Sequence, residues 1–287
     1  MVANPSGIAV TGIVHTLNAE LYLEATLASL TPWVDELLVV DMGSTDATRE
    51  IAAATGATIV DVPWAPFVES ARVDAIERAK GPWLIVVDAD ELIPATLARR
   101  LRRIAVDDEC DVVTMSWRNY LLGSPMDHTR WGMHPDRHER FFKKGAVTYS
   151  RELHAPPTIA AGMRHVVLPA RADLAVVHFN YRDTSDFLAK LDRYTTIEAR
   201  DRAHVPGRLP NGWWDALKEL WSRLITYRGW RDGWRGPYLA ALSGIYRLVV
   251  WGKAREEREL GGRTGIMASY QAEAARVIAG YERWPDA

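Results

Sequence analysis

The chain has 287 residues, of which 48% are hydrophobic and 25% charged, a composition typical of a globular protein with a sizeable core. Its formal net charge of -2 excludes a general nucleic-acid binder, because such proteins concentrate Lys and Arg. The single cysteine, Cys110, excludes an internal disulfide and a cysteine-based zinc cluster, and we expect it to be buried.

The N-terminal segment MVANPSGIAVTGIV lacks a basic region followed by a long apolar run, so no secretory signal is predicted. No stretch of about 18 uncharged apolar residues occurs, so no membrane-spanning helix is predicted either. We therefore expect a cytoplasmic protein. Peripheral contact with the inner face of the membrane stays open, because the C-terminal composition described below would suit it.

Apolar runs alternate with helical patterns over about the first 105 residues. Strands are predicted at 7–14, 35–40, 57–62 and 83–88, and helices at 18–30, 46–56, 69–81 and 94–105. Asn18 is the predicted N-cap of the first helix, and Asp46 and Gly56 bound the second. This alternation predicts an α/β fold with a mostly parallel sheet and helices on both faces.

The pattern changes after residue 106. A strand is predicted within 111–123, a hairpin turning at Lys143 to Gly145, and a further strand at 174–182. From residue 183 the chain is predicted to be mainly helical, with Asp183 or Thr184 as the cap. One helix face would consist of Phe187, Leu188, Leu191 and Tyr194. We therefore predict an α/β domain at 1–182 and a helical C-terminal extension at 183–287.

Three acids, Asp88, Asp90 and Glu91, lie at the end of the fourth predicted strand and directly after it. Ligands of parallel sheets bind beyond the carboxyl ends of the strands, where Asp41 also lies, so these acids should meet at one edge. The pattern fits a divalent cation held together with a diphosphate, since hard cations prefer oxygen ligands. It also resembles the nucleophile motif of haloacid-dehalogenase phosphatases, and Asp90 or Glu91 could instead cap the following helix.

Three motifs in order, TLNAE (16–20), LLVVDMGSTDATREIA (37–52) and ADE (89–91), resemble the nucleotide-binding half of family 2 glycosyltransferases with the GT-A fold. The resemblance covers roughly residues 7–105. Further along, RNYLLGSPMDHTRWGMHPDRHERFFKKG, ELHAP and HFNYRDTSDFLAKLDRYTTIEA resemble the branch typified by lipopolysaccharide core glycosyltransferases. Asn18-Ala19-Glu20 stands where Asn-Glu is usual and Arg72-Val73 where Arg-Asn is usual, so the nucleotide base is left open.

The resemblance implies a Rossmann-like GT-A fold and a metal-dependent, inverting transferase that uses a sugar donor carried by UDP or another nucleoside diphosphate. The divalent metal would be Mn²⁺ or Mg²⁺, ligated directly by Asp90, with Asp88 contacting the ribose or the metal shell. Asp41 would contact the nucleoside and Arg72 the nucleotide. The full set of implied donor contacts is Thr16, Asn18, Glu20, Asp41, Ser44, Arg72, Asp88, Ala89 and Asp90.

Inverting transfer also needs a base for the acceptor's proton. Asp136 is our candidate, because the family has an acid in this loop, and Glu139 and Glu152 are rivals. The competing role for Asp136 is a weak surface ion pair with Arg137 or Arg140.

Enzymes of this fold commonly add a late histidine to the metal. Both His154 and His178 could reach the carboxyl edge of the sheet, and we favour His154 as the metal ligand. Arg140 could instead clamp a phosphate with its planar guanidinium.

Residues 211–263 hold ten Lys or Arg and six acids, interleaved with six tryptophans. This composition suits a surface on an anionic membrane, but aromatic residues at helical spacing more often pack in a core or between copies of a chain, and we favour packing. The acceptor is left open among a glycan, a lipid-linked glycan, a natural product and a peptide.

Three other functions compete with the transferase. They are a phosphatase of the haloacid-dehalogenase type, a sugar nucleotidyltransferase and a non-catalytic nucleotide-binding protein. A nucleotidyltransferase usually carries a Gly-rich loop near its N-terminus, which TGIVHTLNAE lacks.

Overall fold

The computed structural model describes residues 9–64, 69–149, 157–207 and 209–281. The chain divides into two compact units, Met1–Asn180 and Tyr181–Ala287. The boundary predicted from the sequence lies two residues further along. Cys110 is buried, as predicted.

The first unit contains a sheet whose first half is parallel. Its strands are β1 (Val10–Thr16), β2 (Glu36–Asp41), β3 (Thr58–Asp61) and β4 (Trp83–Asp88), and the intervening helices are α1 (Leu23–Leu30), α2 (Thr48–Ala54) and α3 (Glu69–Arg78). The strands lie in the order β3-β2-β1-β4, and every neighbouring pair is parallel. The predicted strand–helix alternation is confirmed for this half.

The register of β1 brings two of the predicted acids to one edge of the sheet. Thr16 of β1 pairs with Asp41 of β2, and His15 of β1 pairs with Asp88 of β4. Since parallel neighbours lie about 4.8 Å apart, the backbones of Asp41 and Asp88 are separated by roughly 10 Å, the width of two strand spacings. Both residues end their strands, so both face the carboxyl edge of the sheet.

Eight further strands and one α-helix complete the described part of the first unit. They are β5 (Glu91–Leu92), β6 (Val112–Leu121), β7 (Ser124–Pro125), β8 (Arg137–Lys143), β9 (Val147–Thr148), β10 (Thr158–Ile159), β11 (His165–Val167) and β12 (Ala175–Tyr181), and α4 (Ala95–Asp107) follows β5. The main sheet continues from β4 in the order β8-β6-β12-β5, and β8 runs antiparallel to both β4 and β6. The sheet is therefore mixed, with its parallel half on the side of β1 to β4.

The predicted hairpin around Lys143 to Gly145 is wrong. β8 pairs on both sides within the main sheet, and β9 pairs instead with β10. The reason is that β4 and β6 occupy the two edges of β8, which leaves no free edge on which β9 could pair. Phe141 and Phe142 of β8 are both fully buried and point to opposite faces of the sheet, as expected for a strand inside a covered sheet.

Helices cover both faces of this sheet and form two cores. On one face Val10 and Val14 of β1 pack in a cluster that includes Leu27 of α1 and Leu101 of α4. On the other face Ile13 of β1 packs in a cluster with residues of α3. The alternation along β1 follows from the two-residue period of a strand.

The second unit is helical. Its helices are α5 (Thr184–His204), α6 (Gly212–Trp221), α7 (Arg235–Leu260) and α8 (Gly262–Tyr281), and a π-helical turn, Ser222–Thr226, continues α6. The predicted cap of α5 is confirmed, because Asp183 accepts a hydrogen bond from the Asp186 N–H. None of the helices in the described ranges combines the length and the apolar character needed to cross a bilayer.

One residue of the face predicted for α5 was misplaced. Leu188 is 46% exposed, whereas Phe187 and Leu191 are buried. Thr195 and Ala199 complete the buried face. Residues four apart lie on one side of a helix, so the line that starts at Phe187 excludes Leu188.

The packing predicts a large loss of stability for Leu101→Ala. The side chain is fully buried in the core between α4 and the sheet, so its removal leaves a cavity. We expect the free energy of unfolding to fall by about 2–5 kcal/mol in chemical denaturation. Val106→Ala is the matched control on the same helix, because Val106 is 42% exposed and should change stability by less than about 0.5 kcal/mol.

Candidate active site

Hydrogen bonds join the loops that follow β1 and β2. The Asn18 N–H donates to Ser44 Oγ at 2.9 Å, and Asn18 Oδ1 accepts from the Thr45 N–H at 2.8 Å. Glu20 Oε2 accepts from the Ala47 N–H at 3.0 Å, at the start of α2. Three of the predicted donor contacts, Asn18, Glu20 and Ser44, therefore link one loop to the other.

The prediction that Asn18 caps the first helix is wrong. Its φ is 50°, a left-handed conformation that asparagine tolerates better than most residues, and α1 begins only at Leu23. The Asn18 side chain is bound to the second loop instead. Asp46 lies at the start of the second helix, close to the predicted position. Its Oδ1 accepts a hydrogen bond from the N–H of Thr48, the first residue of α2.

Asp41 lies beneath these loops. It is 1% exposed, and its carboxylate accepts hydrogen bonds from Ser44 Oγ at 2.5 Å, Arg49 Nη1 at 2.9 Å and Thr16 Oγ1 at 3.2 Å. Burial raises the pKa of Asp41, but the donors from Ser44, Arg49 and Thr16 outweigh burial and hold the pKa below its ordinary value. A nucleoside could reach this carboxylate only after Ser44 or Arg49 had moved.

Asp88, at the end of β4, accepts from two arginines. Arg72 of α3 donates through Nη2 to both carboxylate oxygens, at 2.9 and 3.1 Å, and Arg140 of β8 donates to Oδ2 at 3.3 Å. Burial raises the pKa of Asp88, yet the charges of Arg72 and Arg140 outweigh burial and keep the pKa well below its ordinary value. Asp88 is therefore a carboxylate held between two buried guanidinium groups.

The same cluster contains His15, which the sequence analysis did not single out. It is 3% exposed, and neither ring nitrogen finds a hydrogen-bond partner among the residues that the structure describes. Burial, together with the charge of Arg72, lowers the pKa of His15 to about 3. The His15 ring beside Asp88 is therefore neutral, because a protonated ring would add a third positive charge to those of the two arginines.

Glu91 points inward, away from the edge of the sheet. It is 2% exposed, its Oε1 accepts from Trp117 Nε1 at 2.6 Å, and its Oε2 accepts from the Asp88 N–H at 2.8 Å. Neither Asp90 nor Glu91 caps α4, because the N-cap position is Pro94 and no side chain bonds there. That alternative is wrong. The backbone carbonyl of Ala89, between Asp88 and Asp90, accepts a hydrogen bond from Thr26 Oγ1 at 2.8 Å.

Asp90 lies beside His178. Pairing of β5 with β12 sets Glu91 opposite His178, and the Phe179 N–H donates to the Asp90 carbonyl at 3.0 Å. This register brings His178 Nε2 to 3.6 Å from Asp90 Oδ1. Both side chains retain some exposure, 31% for Asp90 and 19% for His178, so solvent or a ligand can reach the pair.

Asn119 of β6 fixes the orientation of His178. The Asn119 amide nitrogen donates to the Trp131 carbonyl at 3.0 Å and to Asp136 Oδ2 at 2.5 Å, both of which can only accept. Its Oδ1 therefore faces His178 Nδ1, 2.7 Å away, which must carry a proton to donate. In the neutral ring the lone pair then belongs to Nε2, on the side of Asp90.

Asp136 is placed by the same amide. Its Oδ1 is 2.8 Å from His138 Nε2, and its Oδ2 accepts from Asn119. Burial raises the pKa of Asp136, but the contacts with His138 and Asn119 outweigh burial and hold the pKa below its ordinary value. Asp136 is therefore a carboxylate at neutral pH, connected through Asn119 to His178.

The other candidate residues lie elsewhere or outside the described ranges. Glu139 Oε1 accepts from Thr114 Oγ1 at 3.0 Å and belongs to a different contact group from Asp136. Arg140 pairs with Asp88, so the ion pair suggested between Arg140 and Asp136 is replaced by another. Glu152 and His154 lie outside the described residues, and their roles stay predictions.

The donor set of the Asp90–His178 pair suits a divalent cation. Within the described ranges no group of three or more His, Cys, Asp or Glu side chains could hold a metal ion. Mg²⁺ and Mn²⁺ are commonly bound by one or two protein groups, with the remaining positions taken by substrate phosphates and water. An oxygen and an imidazole nitrogen 3.6 Å apart fit such a site.

Asn119 and His15 are the residues that the sequence analysis missed. Both are polar side chains inside apolar strands, VVTMSWRNYL and VTGIVHT, and both are almost fully buried. A polar residue within an apolar strand was the signal that could have identified them. Such a residue is buried and must find a hydrogen-bond partner or lose its charge.

The sequence of the chain is similar to a known protein family. Residues 12–169, more than half of the chain, match the family model described as glycosyl transferase family 2. An uncharacterised glycosyltransferase of Rickettsia felis is 30% identical over 258 residues, which cover 84% of this chain and 88% of that protein. The lipopolysaccharide core branch suggested by the sequence stays a prediction, since the match is to the family as a whole.

Two further similarities are partial. Glucosyl-3-phosphoglycerate synthase of Mycobacterium tuberculosis (strain CDC 1551) is 31% identical over 106 residues, 33% of each chain. A crystal structure of the M. tuberculosis enzyme with Mn²⁺, UDP and glucosyl-3-phosphoglycerate aligns with a TM-score of 0.34 and 26% identity, covering 41% of this chain and 46% of that one. The chain spans about a third, or less, of the length of several curated relatives that it matches.

The geometry predicts that Asp88 and Asp90 differ in their effect on stability. Asp88→Asn removes the charge that pairs with Arg72 and Arg140, and two buried cations remain. We expect the free energy of unfolding to fall by roughly 3 kcal/mol, because breaking a buried ion pair leaves uncompensated charge. Asp90→Asn is the matched control, because this carboxylate, two residues away and similarly exposed, lies beside His178 and not between the two arginines, and its substitution should cost less than about 1 kcal/mol. If both variants lost the same free energy of unfolding in chemical denaturation, the predicted difference between Asp88 and Asp90 would be wrong.

Proposed function

The chain belongs to glycosyl transferase family 2, and from this membership we propose that it transfers a sugar from a nucleoside diphosphate sugar to an acceptor hydroxyl, with inversion at the anomeric carbon. The observation that carries the proposal is the connection between the Asp90–His178 pair and Asp136 through one buried amide, Asn119. A group that can hold the leaving diphosphate and a carboxylate base are thereby fixed with respect to each other.

The donor nucleotide would lie over the carboxyl ends of β1, β2 and β4. The joined loops after β1 and β2 offer Asn18, Glu20 and Ser44 at this edge, above Asp41 and Thr16. UDP is the nucleotide we favour, because crystal structures of the related glucosyl-3-phosphoglycerate synthase are described with UDP and UDP-glucose. The hydrogen bonds between the two loops hold in place the side chains that would contact the donor nucleotide. They do not select a particular sugar.

Asp90 and His178 would hold a divalent metal, Mn²⁺ or Mg²⁺. When bound, such an ion supplies positive charge that stabilises the departing diphosphate. Mn²⁺ and Mg²⁺ are both described in crystal structures of glucosyl-3-phosphoglycerate synthase with UDP. His178 is now the better candidate than His154, because its Nε2 faces Asp90 and its Nδ1 is held by Asn119. Asp88 would contribute indirectly, by positioning the turn, since both of its oxygens accept from arginines.

Asp136 would act as the base. The acceptor oxygen attacks the anomeric carbon, its proton passes to the Asp136 carboxylate, and the bond from that carbon to the diphosphate oxygen breaks with the electron pair leaving on the nucleoside diphosphate. The low pKa keeps Asp136 ionised and able to accept at neutral pH. Asn119 and His138 hold the carboxylate in place and would orient it toward the acceptor hydroxyl.

The phosphatase alternative is disfavoured by the environment of Asp88. A nucleophilic carboxylate must approach the phosphorus atom of its substrate, but the Asp88 oxygens are engaged by Arg72 and Arg140. Family membership likewise favours sugar transfer over nucleotidyl transfer or a purely binding role. The acceptor is proposed only as a hydroxyl-bearing molecule.

The metal assignment predicts the loss of metal-dependent nucleotide binding in Asp90→Asn and His178→Gln. With the wild type, Mn²⁺ should strengthen UDP binding in isothermal titration and raise the melting temperature, because a ligand bound only by the native state stabilises it. Each variant should lower the Mn²⁺-dependent part of the affinity by roughly 10-fold or more. His165→Gln, on β11, is the matched control and should bind as the wild type does. Unchanged Mn²⁺ dependence in both site variants would remove this assignment.

The base assignment predicts that Asp136→Asn lowers kcat by about 10²–10⁴-fold with little change in UDP affinity. The substitution keeps the shape of the side chain but removes the proton acceptor. Because the pKa of Asp136 lies below its ordinary value, the wild-type rate should lose this base only as the pH falls below the usual carboxyl range, and not near neutrality. Glu139→Gln is the control, and a larger loss of kcat in that variant would transfer the role to Glu139.

A further inference from the structure

The outer face of α6 is apolar. Trp213, Leu217, Trp221 and Ile225, spaced four residues apart along α6 and the π-helical turn, are 66%, 53%, 63% and 50% exposed. Residues at this spacing lie above one another on one side of a helix. We call these four residues the tryptophan stripe. A helix that packs on its neighbours through one face normally exposes polar residues on the other.

The inner face of α6 explains why the stripe faces outward. Gly212, Ala216 and Glu219 are buried on the opposite side, against α7. A Cβ added at Gly212 would lie 2.4 Å from Trp251 of α7, so the two helices touch there without room for a side chain. This close packing fixes the rotation of α6 and leaves the stripe exposed.

More indole groups lie next to the stripe. Trp214 is 58% exposed, and Trp230 and Trp234, in the segment after the π-helical turn, are 59% and 62% exposed. Five of the six tryptophans between residues 211 and 263 are therefore on the surface, so the predicted packing in a core is wrong for them, while the predicted packing between copies of the chain stays a prediction. Indole has an apolar body and a polar N–H, which suits the boundary between lipid headgroups and acyl chains.

The exposed charges around the stripe are positive. Throughout residues 211–235, all of which the structure describes, the exposed charged residues are Lys218, Arg228 and Arg231. The three acids of this segment, Asp215, Glu219 and Asp232, are half-buried or buried. Glu219 is 8% exposed and pairs with Arg223, and Asp215 is half-buried and pairs with Lys218.

From the apolar stripe and its positive surround we propose that α6 and the segment up to residue 235 form a docking surface for an anionic lipid bilayer. The indoles and Leu217 insert at the headgroup level, and Lys218, Arg228 and Arg231 contact anionic headgroups. A second copy of the chain is the less favoured occupant, because a symmetric contact through this face would bring like charges toward one another. The inference is independent of the transferase proposal.

Vesicle flotation with the full chain tests the surface. The protein should float with vesicles of phosphatidylcholine and phosphatidylglycerol at low salt, float poorly with phosphatidylcholine alone, and release as salt screens the charges. Trp213→Ala/Trp221→Ala should lower the partition coefficient by roughly 10-fold or more. Arg228→Glu/Arg231→Glu should abolish the preference for anionic vesicles. Trp64→Ala is the matched control, since Trp64 is 66% exposed in the other unit of the chain.

The outcomes are distinct. Circular dichroism of each variant establishes that it is folded, since all the substituted side chains are exposed. No flotation of the wild type with anionic vesicles at low salt would overturn the proposal, as would equal loss in Trp64→Ala. A concentration-dependent dimer in light scattering that Trp213→Ala/Trp221→Ala dissociates, without vesicle binding, would overturn it in favour of a second copy.

Discussion

The Asp88 carboxylate and its two arginines join the parallel and antiparallel halves of the first unit. Asp88 ends β4, the last parallel strand, while Arg72 comes from the helix before that strand and Arg140 from the antiparallel strand beside it. Loss of the Asp88 charge would be costly, because two buried guanidinium groups would remain uncompensated. Three elements are thereby fixed at the edge where the candidate site lies.

With Asp88 engaged in this way, the acids after β4 divide their roles. Glu91 turns inward and closes the turn through Trp117 and the Asp88 backbone. Asp90 is left at the edge beside His178. A short acidic motif therefore contains one carboxylate for the arginine cluster, one for the turn and one for a ligand. The candidate metal ligand is therefore a different carboxylate from the one that Arg72 and Arg140 bind.

Much of the first half of the fold could be predicted from the sequence, because its strands are continuous apolar runs and its helices repeat at helical spacing. β4 occupies residues 83–88 as predicted. The errors occurred where distant residues decide local structure. Asn18 bonds to a loop 27 residues away instead of capping a helix, and β9 pairs with β10 because β8 is central in the sheet.

The site shows the same limit. Sequence motifs indicated that Asp41, Asp88 and Asp90 would lie at the carboxyl edge, and the strand register places Asp41 and Asp88 there. The partners of those acids could not be predicted, because Arg140 is 52 residues from Asp88 and Asn119 is 59 residues from His178. Periodicity has no information about such pairs. An amide within an apolar strand was the remaining clue to Asn119.

The joined loops after β1 and β2 have a consequence for molecular recognition. Asn18 bonds to Ser44 and Thr45, and Glu20 bonds to Ala47, so hydrogen bonds within the chain hold the two loops together. Loops ordered during folding do not have to be ordered again on association, so little conformational entropy is lost there. Selectivity between nucleotides at this edge should then depend on how well each fits a preformed site. A substitution that loosened the loops would lower the affinity for all nucleotides alike.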